Sequence, residues 1–394
     1  MKFSIVTSFY NESEKLIEEC CKGVLSQTYS NFEWIVTDDF SQNEKTTNLV
    51  KSLPERDKRI RYVEQTKKKE IVWNHQTYAM GDVVVALDGD DHMLSKSLDV
   101  LHYFYTKYPD VFCITTEIQN YNENKQYIGS LYLDYQNYTS IFNYIMDIKH
   151  DPNIPRRGRN SLFSLGYNRS WRNINNIEFG KDLDKRLIVF DYVQLTQLEE
   201  MGKFLHIPRA LYGYNTRQDS ISRKLDENNS FHLSTKELDN SIIERRKGKN
   251  INSIKRIFDQ IFIESNAFLN CGINFEIKSK KISLITPNIL SPLKQEQIKE
   301  LYFDHDIYFN THDENIDYYI IQFNSPDQYN SLMQIYDNIR NYIGRKEIMI
   351  QITYDKIDGV SENNLMNKCL EFLSGRHPIA WFDFDNHYIT IKIG

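Results

Sequence analysis

The segment 81–92, GDVVVALDGDDH, constrains this chain more than any other: the apolar residues Val83 to Leu87 run straight into Asp88, Asp90 and Asp91. A short apolar run rich in β-branched residues reads as a strand buried on both faces, as in parallel sheets covered by helices. In such open sheets, ligands bind just beyond the carboxyl ends of the strands. Three carboxylates have no place in a core, but at a strand end they can meet a positive group brought from outside. Hard divalent cations take oxygen ligands and commonly share them with phosphates. The motif therefore implies a cation site beside a diphosphate; a solvated turn is the bland alternative.

The flanking sequence supplies the rest of the sheet. Short apolar runs alternate with amphipathic stretches, the pattern of parallel strands joined by crossover helices. Strands are predicted at Phe3 to Thr7, Phe32 to Val36, Ile60 to Val63, Asp82 to Leu87 and Val111 to Thr116. Helices are predicted at Ser13 to Ser26, Thr46 to Ser52, Trp73 to Met80 and Leu98 to Lys107. In the first of these, Leu16, Ile17, Cys20, Val24 and Leu25 share one face. From Glu117 to about Lys185 the periodicity fails and Asn, Tyr and Arg accumulate, as in a binding region or lid. Order returns with a helix from Val189 to Glu200 and a strand-like FLHIPRALYGYN from Phe204.

A chain of 394 residues exceeds what one core usually serves, and the composition shifts after Ser222. Phe231 to Phe268 reads as largely helical and carries the basic run ERRKGKNINSIKR. A second βα pattern follows, with strands at Ile282 to Ile285, Tyr318 to Phe323 and Ile348 to Thr353. Helices open near Ser291, Ser325 and Ser361, the first two with Pro next. The terminal WFDFDNHYITIKI reads as a hairpin turning at Asp385-Asn386. The predicted division is a domain at 1–223, a helical linker with the basic run at 224–275, and a smaller α/β domain at 276–394.

Three fragments, in this order, resemble the inverting glycosyltransferases of family 2, which have the GT-A fold. They are SIVTSFYNESEKLIEECCKGVLSQTYSNFEWIVTDDFS, ALDGDDHML, and FDYVQLTQLEEMGKFLHIPRALYGYNTRQDSIS. The resemblance covers about residues 1–223. It implies a Rossmann-like mixed α/β sheet with flanking helices, and transfer of a sugar with inversion from a nucleotide-diphosphate sugar, a uridine one above all. Carried over by position, Ser8, Phe9 and Tyr10 would meet the nucleotide base, and Asp39 the base or ribose. Lys68 or Lys69 would neutralise the diphosphate. Asp88 would reach the ribose or the metal, Asp90 would ligate Mn²⁺ or Mg²⁺, and Asp91 would support the loop. Asp191 would be the general base that deprotonates the acceptor hydroxyl. A single inverting displacement needs one such carboxylate and no covalent intermediate.

Two positions depart from the family pattern. Phe190 stands where an acid often precedes the base, and Arg217 where a His often follows the last strand. A guanidinium has no lone pair for a metal, but Arg217 could clamp the diphosphate. Simpler readings stand beside these: Asp38-Asp39 as a cap for the helix after Ser41, Asp191 as a first-turn acid, Tyr10 as packing and Lys67 to Lys69 as a solvated run. His75, His92 and His206 lack metal-ligand spacing.

The acceptor is a glycan or lipid-linked glycan on this resemblance, with Arg156, Arg157, Arg159 and Trp171 as acceptor-side candidates. A phage-type transferase acting on hydroxymethylated bases of duplex DNA is the alternative, with the basic patches near Arg156 and Arg245 tracking phosphates. A catalytically inactive sugar-nucleotide binder is a third. A sugar-nucleotide pyrophosphorylase fits poorly, because TSFYNES lacks the glycine-rich loop after the first strand. The net charge of −6 shows no global basic bias. Five cysteines without metal spacing imply reduced thiols. The opening MKFSIVTSFYNE reads as a strand and a polar turn rather than a signal sequence, and no apolar stretch approaches about 18 residues. The expected location is cytoplasmic, with peripheral membrane contact left open and self-association through the C-terminal domain as a further expectation.

Overall fold

The computed structural model describes residues 1–66, 75–122, 127–131, 139–143, 169–174, 179, 190–217, 240–258, 281–285, 290–311, 315–316, 318–323, 347–353, 379–383 and 388–393. It divides into two compact units, Met1–Ile257 and Phe258–Gly394. The first unit takes in described residues from well beyond 223. There, Ile254–Lys255 adds a short strand to the sheet edge where the basic run predicts helix.

The first unit is the predicted α/β mixed sheet with flanking helices. Its opening half runs β1 (Phe3–Phe9), α1 (Glu14–Leu25), β2 (Phe32–Asp38), α2 (Glu44–Ser52), β3 (Ile60–Tyr62), α3 (His75–Tyr78) and β4 (Val83–Ala86). Then come β5 (His92–Met93), α4 (Ser97–Lys107), β6 (Val111–Tyr121), β7 (Tyr127–Leu131), β8 (Arg169–Arg172), α5 (Phe190–Met201), β9 (Lys203–Asn215) and β10 (Ile254–Lys255). The sheet order is β10-β9-β6-β8-β4-β1-β2-β3, with β5 on β9 and β7 on β6. Strands β3, β2, β1 and β4 are mutually parallel, with Phe9 beside Asp38 and Val6 beside Ala86. Their carboxyl ends therefore open on one edge of the sheet.

Local chemistry explains these elements. Ser13 caps α1 by accepting from the Leu16 N–H, and Ile17, Cys20, Cys21 and Val24 turn inward. Polar groups in the core are paired: the Ser4 hydroxyl donates to Glu33 at 2.7 Å and the Trp34 indole to Thr7 Oγ1 at 3.0 Å. Gln27, after α1, donates to the carbonyls of Gly23 and Leu94 and fixes the helix to the loop beyond the acidic motif. Cys20, Cys21 and Cys113 are buried free thiols.

The predicted irregular stretch after Glu117 differs most from the structure. β6 continues to Tyr121, and Arg169–Arg172 inserts as β8, antiparallel between β4 and β6. The charged ends of β8 are satisfied inside the fold. Arg169 Nε donates to Gln194 at 2.5 Å, and Arg172 donates to the carbonyls of Val111 and Tyr105.

The second unit holds β11 (Lys281–Ile285), α6 (Pro292–Leu301), β12 (Asp306–Phe309), β13 (Tyr318–Phe323), β14 (Glu347–Thr353), β15 (Ile379–Asp383) and β16 (Tyr388–Ile393). Its sheet order is β12-β11-β13-β14-β16-β15, closed by the antiparallel β15–β16 pair. Ser291 caps α6 and Pro292 occupies its first turn. The helices predicted at Ser325 and Ser361 lie outside the described residues.

Candidate active site

The acidic motif follows β4, whose run Val83–Ala86 is buried throughout. Gly89 lies under it with no room for a side chain: a Cβ there would stand 2.6 Å from the Phe9 ring and 2.8 Å from the Ser8 carbonyl oxygen. The motif's three acids have different surroundings. Asp91 is 1% exposed; it accepts from the Tyr212 hydroxyl at 2.8 Å and the Asn215 N–H at 2.7 Å. Burial first, then the charges of Asp90 and Asp88, push its carboxyl well above the ordinary range, against the pull of those two donors. Asp91 is thus a structural acid that pins the motif to β9. Asp88 is half-buried, and its N–H donates to the Tyr212 hydroxyl at 3.2 Å. Asp90, also half-buried, keeps its carboxylate 24% exposed, while Asn215 donates to its carbonyl.

Arg217, just beyond β9, joins separate parts of the sheet edge. Its Nη1 lies 2.7 Å from Glu12 Oε2 and its Nη2 lies 3.1 Å from Asp90 Oδ2. Glu12 follows β1 and was not singled out by its sequence. The only signal was an acid placed three residues beyond a buried strand, and its partner lies 205 residues away.

The β1 and β2 loops close the other side. The Asp39 N–H donates to the Phe9 carbonyl at 2.7 Å, and Gln65 Nε2 donates to its carboxylate at 3.3 Å. The Asn11 N–H donates to Ser41 Oγ at 2.8 Å, and Asn11 Oδ1 accepts from the Gln42 N–H at 2.7 Å. Both Asn11 (φ 56°) and Phe40 (φ 62°) adopt left-handed backbone, which a bulky residue such as Phe rarely does. The cap of α2 is Asn43, not Asp38 or Asp39. Asp38 instead accepts from Thr47 Oγ1 at 3.1 Å and the Ser41 N–H.

Ser8 and Tyr10 are half-buried at the end of β1. Two expectations need correction. The Phe9 side chain is 0% exposed with its ring edge toward Trp34, so it is core and cannot face a base. Trp171 is 1% exposed in β8, edge-on to Phe179, and cannot touch an acceptor. The basic run is also partly committed inside the fold. Arg246 pairs with Glu199 at 2.8 Å and with Glu200 at 3.1 Å, and Arg245 pairs with Glu200 at 3.0 Å. The patch near Arg245 is one of the two on which the duplex-DNA reading rests. His206 is buried between Glu117 and Thr115.

Lys68, Lys69, Arg156, Arg157 and Arg159 lie outside the described residues. Asp191 is the second residue of α5, and its side chain is likewise outside them. The helix is anchored three residues on, where Gln194 meets Arg169. Ser170 pairs with Val85, so Arg169 lies one step nearer the carboxyl end of β4, on the side of the acidic motif. Among the described residues no group of three or more His, Cys, Asp or Glu side chains could hold a metal ion. No helix among them is long and apolar enough to cross a membrane.

The parallel strands β3-β2-β1-β4 of this mixed sheet, with acids at the ends of β2 and β4, have the form of an open α/β sheet that takes ligands at its strand ends. The comparisons narrow this. Residues 4–169 match the family described as Glycosyl transferase family 2. An uncharacterized glycosyltransferase of Methanocaldococcus jannaschii is 26% identical over 129 residues, 31% of this chain and 43% of that relative. The GalNAc(5)-diNAcBac-PP-undecaprenol beta-1,3-glucosyltransferase of Campylobacter jejuni is 33% identical over 104 residues, 25% of this chain and 33% of its own length. The chain thus spans less than half the length of either relative. Among solved structures, residues 1–349 of TarS from S. aureus, in complex with UDP-GlcNAc, are similar at a TM-score of 0.42 and 18% identity, covering 62% of this chain and 66% of that one.

Proposed function

We propose that the chain is a glycosyltransferase that moves a sugar, with inversion, from a uridine diphosphate sugar to an acceptor hydroxyl on a glycan or lipid-linked glycan. The observation that carries this reading is the convergence at one sheet edge of Asp39, Asp88, Asp90, Glu12 and Arg217, brought from β1, β2, β4 and β9. The family match over residues 4–169 supports the activity. The relative whose name specifies an undecaprenol-linked substrate supports the acceptor class.

Tyr10 and Ser8 would border the base, and Asp39, held in place through the Phe9 carbonyl, would bond the base or ribose. Arg217 would meet the diphosphate, joined by Lys68 or Lys69. Asp88 and Asp90 suit a cation that takes one or two carboxylates and completes its shell with phosphate oxygens and water. Mn²⁺ or Mg²⁺ bound there would supply Lewis-acid stabilisation of the departing diphosphate. Asp191 would take the proton of the attacking hydroxyl, a role worth about 10²–10⁴-fold in rate. The anchoring of α5 near the carboxyl end of β4 supports that assignment. Arg156, Arg157 and Arg159 remain acceptor-side proposals.

The test is turnover. Wild-type protein with Mn²⁺ and a UDP-sugar panel should release UDP, and Asp191→Asn should lose at least a hundredfold in rate while still binding the donor. An Asp191→Asn variant with wild-type turnover would remove the base assignment.

A further inference from the structure

We infer that Arg217 is a latch lying in the cation's place, so that cation and diphosphate are taken up together rather than singly. This rests on reading the cleft as a nucleotide-sugar site. The guanidinium spans two carboxylates that come from different strand ends, Glu12 at 2.7 Å and Asp90 at 3.1 Å. Glu12 is 8% exposed, and its side chain and those of Arg217 and Asp90 are 10%, 22% and 24% exposed. The pairing is therefore largely withdrawn from solvent, not on open surface, where screening would make it trivial.

While Arg217 holds Asp90 Oδ2 at this distance, a divalent cation must share that carboxylate with a guanidinium, and two positive groups at one carboxylate repel. Asp91 cannot stand in, because both its oxygens already accept from Tyr212 and Asn215. A cation alone thus meets an occupied ligand and a positive charge. A diphosphate changes the balance. It gives the guanidinium a second anionic partner, for which Arg has matching fork geometry, and it brings the cation further oxygen ligands. Glu12 then serves as a positioning residue: it keeps Arg217 at the cleft when the other half of the fork leaves Asp90. The two ligands are linked by a coupling free energy, and linkage makes their effects reciprocal.

The experiment titrates the full chain with Mn²⁺, following free Mn²⁺ by electron paramagnetic resonance, with and without saturating UDP. In wild type, UDP should tighten Mn²⁺ binding about tenfold or more, within the usual range of such couplings. Arg217→Ala should bind Mn²⁺ alone about tenfold more tightly than wild type, gain less from UDP and bind UDP more weakly. These opposite signs separate a latch from a general structural role, which would weaken both ligands. Arg217→Lys, which keeps the charge, should stay near wild type for Mn²⁺ alone and serves if the alanine variant folds poorly. If both ligands bind but Arg217→Ala holds Mn²⁺ no tighter than wild type, the latch is wrong and the nucleotide-sugar reading survives. If wild type binds neither UDP nor Mn²⁺, the nucleotide-sugar reading fails and the latch with it.

Discussion

Tyr212→Phe removes a single oxygen from the centre of the site, and the consequences can be worked out from its partners. That hydroxyl donates to Asp91 Oδ2 at 2.8 Å and accepts from the Asp88 N–H at 3.2 Å. Tyr212 is 2% exposed, so water does not readily replace it, and the ring is retained, so no cavity forms. A hydrogen bond to a charged group contributes about 1.5–3 kcal/mol, and orphaning a donor as accessible as the half-buried Asp88 N–H adds about 1 kcal/mol. The expected loss is about 2.5–4 kcal/mol, which in a unit of this size lowers Tm by about 5–15 °C. The loss should also depend on pH. Asp91 has a folded pKa raised above its unfolded value. Its stabilising contribution is therefore complete below the ordinary aspartate range and fades as pH rises through the raised value. The Tyr212 hydroxyl favours the ionised form, so its removal should cost more as pH rises through the range in which Asp91 ionises. Thermal melts of both proteins across that range would measure this. A Tm within 2 °C of wild type at every pH would refute the claim that Tyr212 and Asp91 together pin the motif.

Two further substitutions probe the frame around the cleft. Gly89→Ala should cost about 1–3 kcal/mol, the range for overpacking, and weaken Mn²⁺ and UDP binding together, because its Cβ would meet the Ser8 carbonyl as well as the Phe9 ring; a wild-type Tm and unchanged affinity would contradict the close approach. Glu199→Ala should cost about 3–5 kcal/mol, because it strips a buried ion pair from Arg246 and orphans the N–H groups of Ile141 and Phe142. Glu199→Gln keeps an acceptor for those N–H groups and should lose less; equal losses in chemical denaturation would count against the orphaned N–H groups as a contribution.

Much of the sheet was legible because its strands are apolar and its helices begin with recognisable caps. Val83–Ala86 and the Ser13 cap needed no partner to be read. What escaped was held by distant partners. The four residues of β8 carry an arginine at each end and look like loop, yet both charges find acceptors inside the fold. β6 runs on through Glu117 because His206, 89 residues away, lies 2.7 Å from its carboxylate. The Asp motif was readable as a site, but the division of labour within it was not. Burial of Asp91 and the reach of Arg217 to Glu12 depend on β9, whose register no local pattern reveals. Phe9 and Trp171 were misassigned for the same reason: an aromatic residue at a strand end or in an Asn-rich stretch carries no mark of which way it faces.

The central claim, that this sheet edge receives an activated sugar, is tested most directly by titrating wild type, Asp39→Ala and Asp90→Asn with a panel of nucleotide sugars in the presence of Mn²⁺, following Tm. A UDP-sugar should stabilise wild type, by about 2.7 kcal/mol at a hundredfold excess over Kd, and stabilise both variants far less. A wild-type protein whose Tm no nucleotide sugar moves, or variants stabilised as fully as wild type, would contradict it.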